Sequence, residues 1–263
     1  MLHLLAAFLL LAQVHDHGDA GAHNPPPMSK DKAPKLHGSM IDLKVGGETS
    51  RAYVARPKGA PKGGLLVIHE WWGLTPWIKH EADELAGQGY LALAIDLYKG
   101  KAAPDAKGAS ALMQAKDEKW GDAVEEAGIE WLKAQKAGKI ATIGWCMGGG
   151  ESLKASLNDP KDVDATIIYY GGPVLDVEKL KTLKGPVLGI WAKKDTFISP
   201  DKVAAFDKAL TDAGAKHEFY SYEAEHGFAN PSSLGNYGLA HYQSDAAKDS
   251  WEKTKAFLAA NLK

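Results

Sequence analysis

The sequence predicts an α/β domain with a mostly parallel central sheet and helices on both faces. Three observations predict it: short, continuous apolar runs, helical periodicity in the segments between them, and proline-capped helix starts. Continuous apolar runs suit strands buried on both faces, as parallel strands are, whereas half-exposed strands alternate.

IDLKV (41–45) and RAYVARP (51–57) read as two opening strands joined in a hairpin around Gly46 and Gly47. LLVIH (65–69), LALAI (91–95), IATIG (140–144) and ATIIYY (165–170) read as buried strands, and PVLGIW (186–191) and HEFYSY (217–222) complete the set. Between them, Thr75-Pro76 is a cap followed by proline at the first helical position, with Ile78, Ala82 and Leu85 as an inward stripe. Trp120, Val124, Ala127 and Trp131 mark a longer helix, and Ser199-Pro200 caps another with Val203, Phe206 and Leu210 facing inward. The last helix carries Ala247, Trp251, Thr254 and Leu258. This alternation predicts one doubly wound domain over residues 38–263, with no internal repeat.

Residues 1–37 read differently. The first 12 residues are an apolar run too short to cross a bilayer as a mature helix, so no stable membrane insertion of the mature chain is expected. They fit the apolar core of a secretory signal cleaved near Ala12, which would place the mature chain in the periplasm or outside the cell. The signal lacks Lys or Arg at its start, and a true start at Met28 would instead leave the protein in the cytoplasm. Residues 15–37 read as a disordered leader, and its histidines at 15, 17 and 23 as a solvated tail.

Composition narrows the function classes. The 263-residue chain is 45% apolar with a formal charge of -2, which gives no electrostatic basis for binding nucleic acid. Arg51 and Arg56 are the only arginines, so a guanidinium fork for a substrate carboxylate is almost unavailable. One cysteine excludes an intramolecular disulfide. A solitary cysteine is most often a small buried hydrophobe, but the surroundings of Cys146 point elsewhere.

Gly144-Trp145-Cys146-Met147-Gly148 follows a strand and opens a helical segment that begins near Gly149. This is the pattern of a nucleophile elbow with cysteine in place of serine. The glycines fit a turn so tight that a Cβ at either position would collide. At a helix start the local field favours thiolate, and the Met147 N–H can face a developing oxyanion. The spacing is a poor fit to a dinucleotide fingerprint.

An acid and then a histidine should follow in the chain. Asp195 lies in the loop after the 186–191 strand, where Asp201 competes for the role but sits in a helix start. His226 lies in the loop after the 217–222 strand, while His217 opens that strand and His241 falls in a helix start. His69-Glu70-Trp71-Trp72-Gly73 follows an earlier strand, where the Trp71 N–H would supply the second oxyanion donor. Glu70 is either a solvated loop acid or a group that accepts the proton of Cys146. Histidine is missing at position 73, so this is not a zinc motif.

With G-W-C-M-G-G at 144–149, H-E-W-W-G at 69–73, D-L-Y at 96–98, Asp195 and H-G-F at 226–228, the chain over about 40–263 resembles the dienelactone hydrolase (carboxymethylenebutenolidase) family. The resemblance implies an α/β-hydrolase fold, a Cys146-His226-Asp195 triad, and a glutamate at Glu70 that activates the cysteine when substrate arrives. It implies hydrolysis of a small ester or lactone without a cofactor. The family's substrate-carboxylate arginines correspond to Gly100 and Asn230 here, so dienelactone itself is in doubt. Lys99 or Lys101 would supply charge but not a bidentate grip. Trp72, Trp145, Tyr98, Lys99, Phe228 and Asn230 are the expected pocket residues; the alternative for the tryptophans is core packing. A carboxylesterase, thioesterase or small peptidase on the same fold, and a binding protein with a relict site, are the competing readings.

Overall fold

The computed structural model describes residues 35–232 and 242–262, so the expected signal segment, the histidines at 15, 17 and 23, and His241 lie outside the described residues. The strands are β1 (Ser39–Val45), β2 (Glu48–Ala55), β3 (Gly64–Ile68), β4 (Leu91–Ile95), β5 (Ile140–Trp145), β6 (Ala165–Tyr169), β7 (Val187–Ala192) and β8 (His217–Tyr222). The helices are α1 (Pro76–Gly87), α2 (Ala106–Gln114), α3 (Glu118–Ala134), α4 (Met147–Asn158), α5 (Val177–Leu180), α6 (Pro200–Ala213) and α7 (Ser244–Asn261).

The eight strands form one sheet in the order β1-β2-β4-β3-β5-β6-β7-β8. β1 and β2 are an antiparallel hairpin, β2 pairs antiparallel with β4, and every later pairing is parallel. Alternation along each strand divides the core between two faces. Leu65, Val67, Ala141, Ile143, Leu188 and Ile190 face α1 and α7, packing with Ile78, Leu85, Phe257 and Leu258. Leu66, Ile68, Leu93 and Ile95 face the other way onto Val124, Ile129 and Leu132 of α3. On that same side Ile168, Val187 and Trp191 pack with Leu153 of α4 and Phe206 and Leu210 of α6. The fold is that of an α/β-hydrolase.

Local differences from the sequence reading have local causes. α3 buries Trp120, Val124, Ile129 and Leu132, while Ala127 and Trp131 sit at the edge of the core. A 3.6-residue period carries the stripe through 124, 128 and 132, turning Trp131 outward, where Arg56 lies 5.5 Å above its ring. α7 buries Thr254, Phe257 and Leu258, with Trp251 only partly covered. α2 and α5 have no apolar stripe of useful length; each begins instead at an aspartate, Asp105 and Asp176, whose side chain accepts from the first-turn amides.

α4 starts at Met147, two residues earlier than expected, because the glycines at 148–150 are themselves its first turn. Those glycines set how closely it packs. A Cβ on Gly148 would strike the carbonyls of Ile68 and His69 at the end of β3, and one on Gly144 would strike the Gly148 carbonyl. The start of α4 is thereby pressed against the end of β3, and the loop after β3 is brought beside the turn after β5. Gly148→Ala should therefore lower the unfolding free energy by about 1–3 kcal/mol. Ala at Gly47, which faces open space, should change it by less than about 0.5 kcal/mol. Denaturant midpoints measure both, and equal midpoints would show that the close approach is not required.

Candidate active site

Cys146 sits in the turn between β5 and α4 with φ 56° and ψ -119°, left-handed backbone that residues other than glycine rarely adopt. Its two backbone groups hold it there: the N–H donates to the Tyr169 carbonyl at 3.0 Å, and the carbonyl accepts from the N–H groups of Gly149 at 3.0 Å and Gly150 at 3.4 Å. The first anchors the turn to β6 and the second to the helix. The half-buried sulfur is left at the C-terminal edge of the sheet.

His226 and Asp195 converge on that sulfur from the loops after β8 and β7. His226 Nε2 lies 3.0 Å from Cys146 Sγ, and its Nδ1 lies 2.8 Å from Asp195 Oδ2. The other oxygen of Asp195 accepts from the N–H groups of Phe197 and Ile198 at 2.7 and 2.9 Å, which hold the carboxylate independently of the histidine. The competing Asp201 lies in the first turn of α6. Burial alone would favour neutral His226, but the facing Cys146 sulfur and the Asp195 carboxylate outweigh it and raise its pKa to about 10. At neutral pH His226 is therefore favoured as the imidazolium, facing the Cys146 sulfur.

Glu70 is buried beside this pair, at 4% exposure, and Asn230 Nδ2 donates to its Oε2 at 2.5 Å. Burial raises the Glu70 pKa to about 7, against the opposing effects of the Asn230 hydrogen bond and the His226 charge. Glu70 is thus not the solvated loop acid that the sequence alone also allowed. Its backbone is fixed by His69, whose Nδ1 lies 2.5 Å from the Glu70 carbonyl and whose Nε2 accepts the Leu97 N–H at 3.1 Å. Those two bonds require the neutral tautomer with the proton on Nδ1, and burial accordingly lowers the His69 pKa. Trp71 follows directly. Its N–H and that of Met147, at the start of α4, belong to the two segments that Gly148 holds together.

The expected pocket residues part company. Tyr98 remains beside the turn, its hydroxyl donating to Met147 Sδ at 3.1 Å and its ring 4.9 Å from His69. Trp72 is half-buried and packs edge-on against Trp71 at 5.0 Å. Trp145, by contrast, is 1% exposed and wedged between Trp77 and Tyr169, so it is core. Adjacent strand residues point to opposite faces, which turns Trp145 away from the nucleophile that follows it. Phe228 is likewise fully buried, between Tyr170 and Tyr222. The Lys99 ammonium lies 4.0 Å above the Trp120 ring and 3.1 Å from Glu48, drawn to the hairpin rather than toward the triad. Gly100 has φ 85° and its N–H donates to Asp96 Oδ2, a backbone conformation that arginine would adopt only under strain. Asn230 is committed to Glu70 through its amide nitrogen, while its oxygen accepts from Ser232.

A cysteine, histidine and aspartate in hydrogen-bonded sequence on this sheet define a cysteine hydrolase of the α/β-hydrolase class. Residues 50–262 match the model of the dienelactone hydrolase family, and the chain belongs to that family. It is 32% identical over 236 residues to protein usf of Aquifex pyrophilus, covering 86% of this chain and 99% of that protein. It is 28% identical over 225 residues to a carboxymethylenebutenolidase of Pseudomonas putida, covering 81% of this chain and 92% of that one. Among solved structures, a dienelactone hydrolase-like promiscuous phosphotriesterase from metagenomic libraries shares the fold, with a TM-score of 0.77 at 22% identity over 85% of this chain and 98% of that one.

The triad makes a direct prediction. The His226 imidazole should titrate near pH 10 when followed by NMR. Asp195→Asn removes a charge that raises this pKa, so the titration should move down, and kcat should fall by a factor on the order of 10⁴. An unmoved titration would show that Asp195 does not govern the histidine.

Proposed function

We propose that the protein hydrolyses carboxylic esters or lactones whose acyl portion carries no negative charge, through a thioester on Cys146. The observation that carries this reading is the continuous Asp195–His226–Cys146 chain, at 2.8 and 3.0 Å, on a left-handed nucleophile turn. His226 and Glu70 maintain or generate the thiolate, which attacks the carbonyl carbon. The developing oxyanion is taken by the N–H groups of Met147 and Trp71. The imidazolium then gives its Nε2 proton to the leaving oxygen as the C–O bond breaks. His226, now neutral, removes a proton from water, which attacks the thioester and releases the acid and the thiolate.

The substrate class follows from charge. The two positions that carry the carboxylate-binding arginines in the similar family hold a strained-turn glycine and an asparagine bound to Glu70, and Lys99 is engaged with Glu48 and Trp120. A substrate carboxylate would also meet the partly ionised, buried Glu70. Uncharged esters and lactones suit this site better than dienelactone, and thioesters of uncharged acids fit the same chemistry.

A panel of lactones, aryl and alkyl esters, thioesters and peptides tests the reading. Wild type should hydrolyse uncharged esters or lactones faster than anionic ones, and Cys146→Ala should lose at least about 10³-fold in kcat. Full activity in Cys146→Ala would rule the reading out.

The pH dependence supplies a separate check. The active form of Glu70 is the carboxylate, so kcat/KM should fall as pH drops through about 7. Glu70→Gln should abolish that limb. Asn230→Ala removes a hydrogen bond to the carboxylate and should move the limb to higher pH. A limb that survives Glu70→Gln belongs to another group.

A further inference from the structure

Tyr170 is a second non-glycine residue at the site with positive φ, 39°. It is the first residue beyond β6, next to the Tyr169 whose carbonyl holds the Cys146 N–H. Its own N–H donates to the Ile190 carbonyl at 2.8 Å, which fixes this uncommon backbone from β7. The ring is 0% exposed and is held by His226 at 5.1 Å, Phe228 at 5.4 Å and Tyr169 at 6.0 Å.

The hydroxyl at the end of that ring is buried and has no hydrogen-bond partner among the described residues. The Ala229 N–H approaches the oxygen, but as a donor, so the hydroxyl proton is still not given to any acceptor. Other buried polar atoms share this lack of a partner, but Tyr170 alone among them packs its ring on the catalytic histidine. Burial, together with the nearby charges of Glu70 and Cys146, holds the phenol neutral well above its ordinary range, so the proton is retained. Left-handed backbone and an unsatisfied buried hydroxyl each cost about 1–3 kcal/mol. Both are concentrated in one side chain beside the triad.

We propose that the Tyr170 hydroxyl is a catalytic hydrogen-bond donor to the oxygen that leaves the acyl carbon. The assignment rests on the ester or lactone hydrolysis proposed above. As Sγ bonds to the carbonyl carbon and the C–O bond breaks, the electron pair of that bond moves onto the leaving oxygen. The proton that neutralises it comes from His226 Nε2. Tyr170 keeps its own proton and steadies the charge until that transfer is complete. A poor leaving group, which carries more charge on oxygen, depends on this donor more than a good one.

Tyr170→Phe removes only the hydroxyl, and a series of p-nitrophenyl, phenyl and ethyl esters of one acid reads its role. The expected loss in kcat/KM is about tenfold for the ethyl ester and less than about threefold for the p-nitrophenyl ester. The fold should be retained, because the ring stays in place and the hydroxyl gives its proton to no group of the protein. Alkylation of Cys146 by iodoacetamide, which has no leaving oxygen from an acyl carbon, should proceed at the wild-type rate. A uniform loss across the series, no loss or slowed alkylation would overturn the assignment while leaving wild-type ester hydrolysis intact. Wild type inactive on every ester and lactone would instead overturn the reading on which it rests.

Discussion

The contact between the first turn of α4 and the end of β3 is the constraint on which the site depends. It is made of backbone: the Gly148 position lies against the carbonyls of Ile68 and His69, with no room for a side-chain carbon. That contact determines where the sulfur of Cys146 points and where the loop carrying Glu70 and Trp71 lies. It also obliges Cys146 to adopt left-handed backbone, a local cost met by hydrogen bonds to Tyr169 and Gly149. A rigid sheet edge is a natural place for such a turn, because parallel neighbours on both sides resist its relaxation.

Around this turn the charges are arranged in unequal settings. Asp195 is bound by two backbone amides and by His226. Glu70 receives the neutral amide of Asn230, and burial poises its carboxyl between two protonation states. Two carboxyl groups near one histidine thus differ in setting: one is hydrogen-bonded to the imidazole, and the other feels its charge without bonding to it. A guanidinium in place of the Asn230 amide would favour the Glu70 anion and remove that poise.

The parts legible in the sequence were those encoded by short-range pattern. Buried strands announced themselves as continuous apolar runs, and the elbow by two glycines flanking a nucleophile at fixed spacing. Asp195 and His226 were found because strand ends deliver loops to a common edge, so chain order alone restricted the choice. The pocket was less legible, because side-chain direction depends on packing. Trp145 and Phe228 are adjacent in sequence to catalytic elements yet belong to the core, and Lys99 is turned aside by Glu48 and Trp120. Tyr170 carries no sequence signal for a related reason: it reads as the last apolar residue of a strand, and only its φ and its hydroxyl, which gives its proton to no acceptor, distinguish it. The pairing of Asn230 with Glu70, 160 residues apart, has no local signal at all.

The solitary cysteine carries a liability of another kind. A half-buried sulfur facing a histidine is also open to attack on peroxide, giving a sulfenic acid. Proteins that survive such events usually trap the sulfenic acid with a second thiol nearby. Cys146 is the only cysteine in the chain, so no internal disulfide can form. Recovery depends on a thiol brought from outside, and further oxidation ends in a sulfinate that no longer serves as a nucleophile. The same isolation that keeps the nucleophile from being diverted into a disulfide leaves its repair to the surroundings.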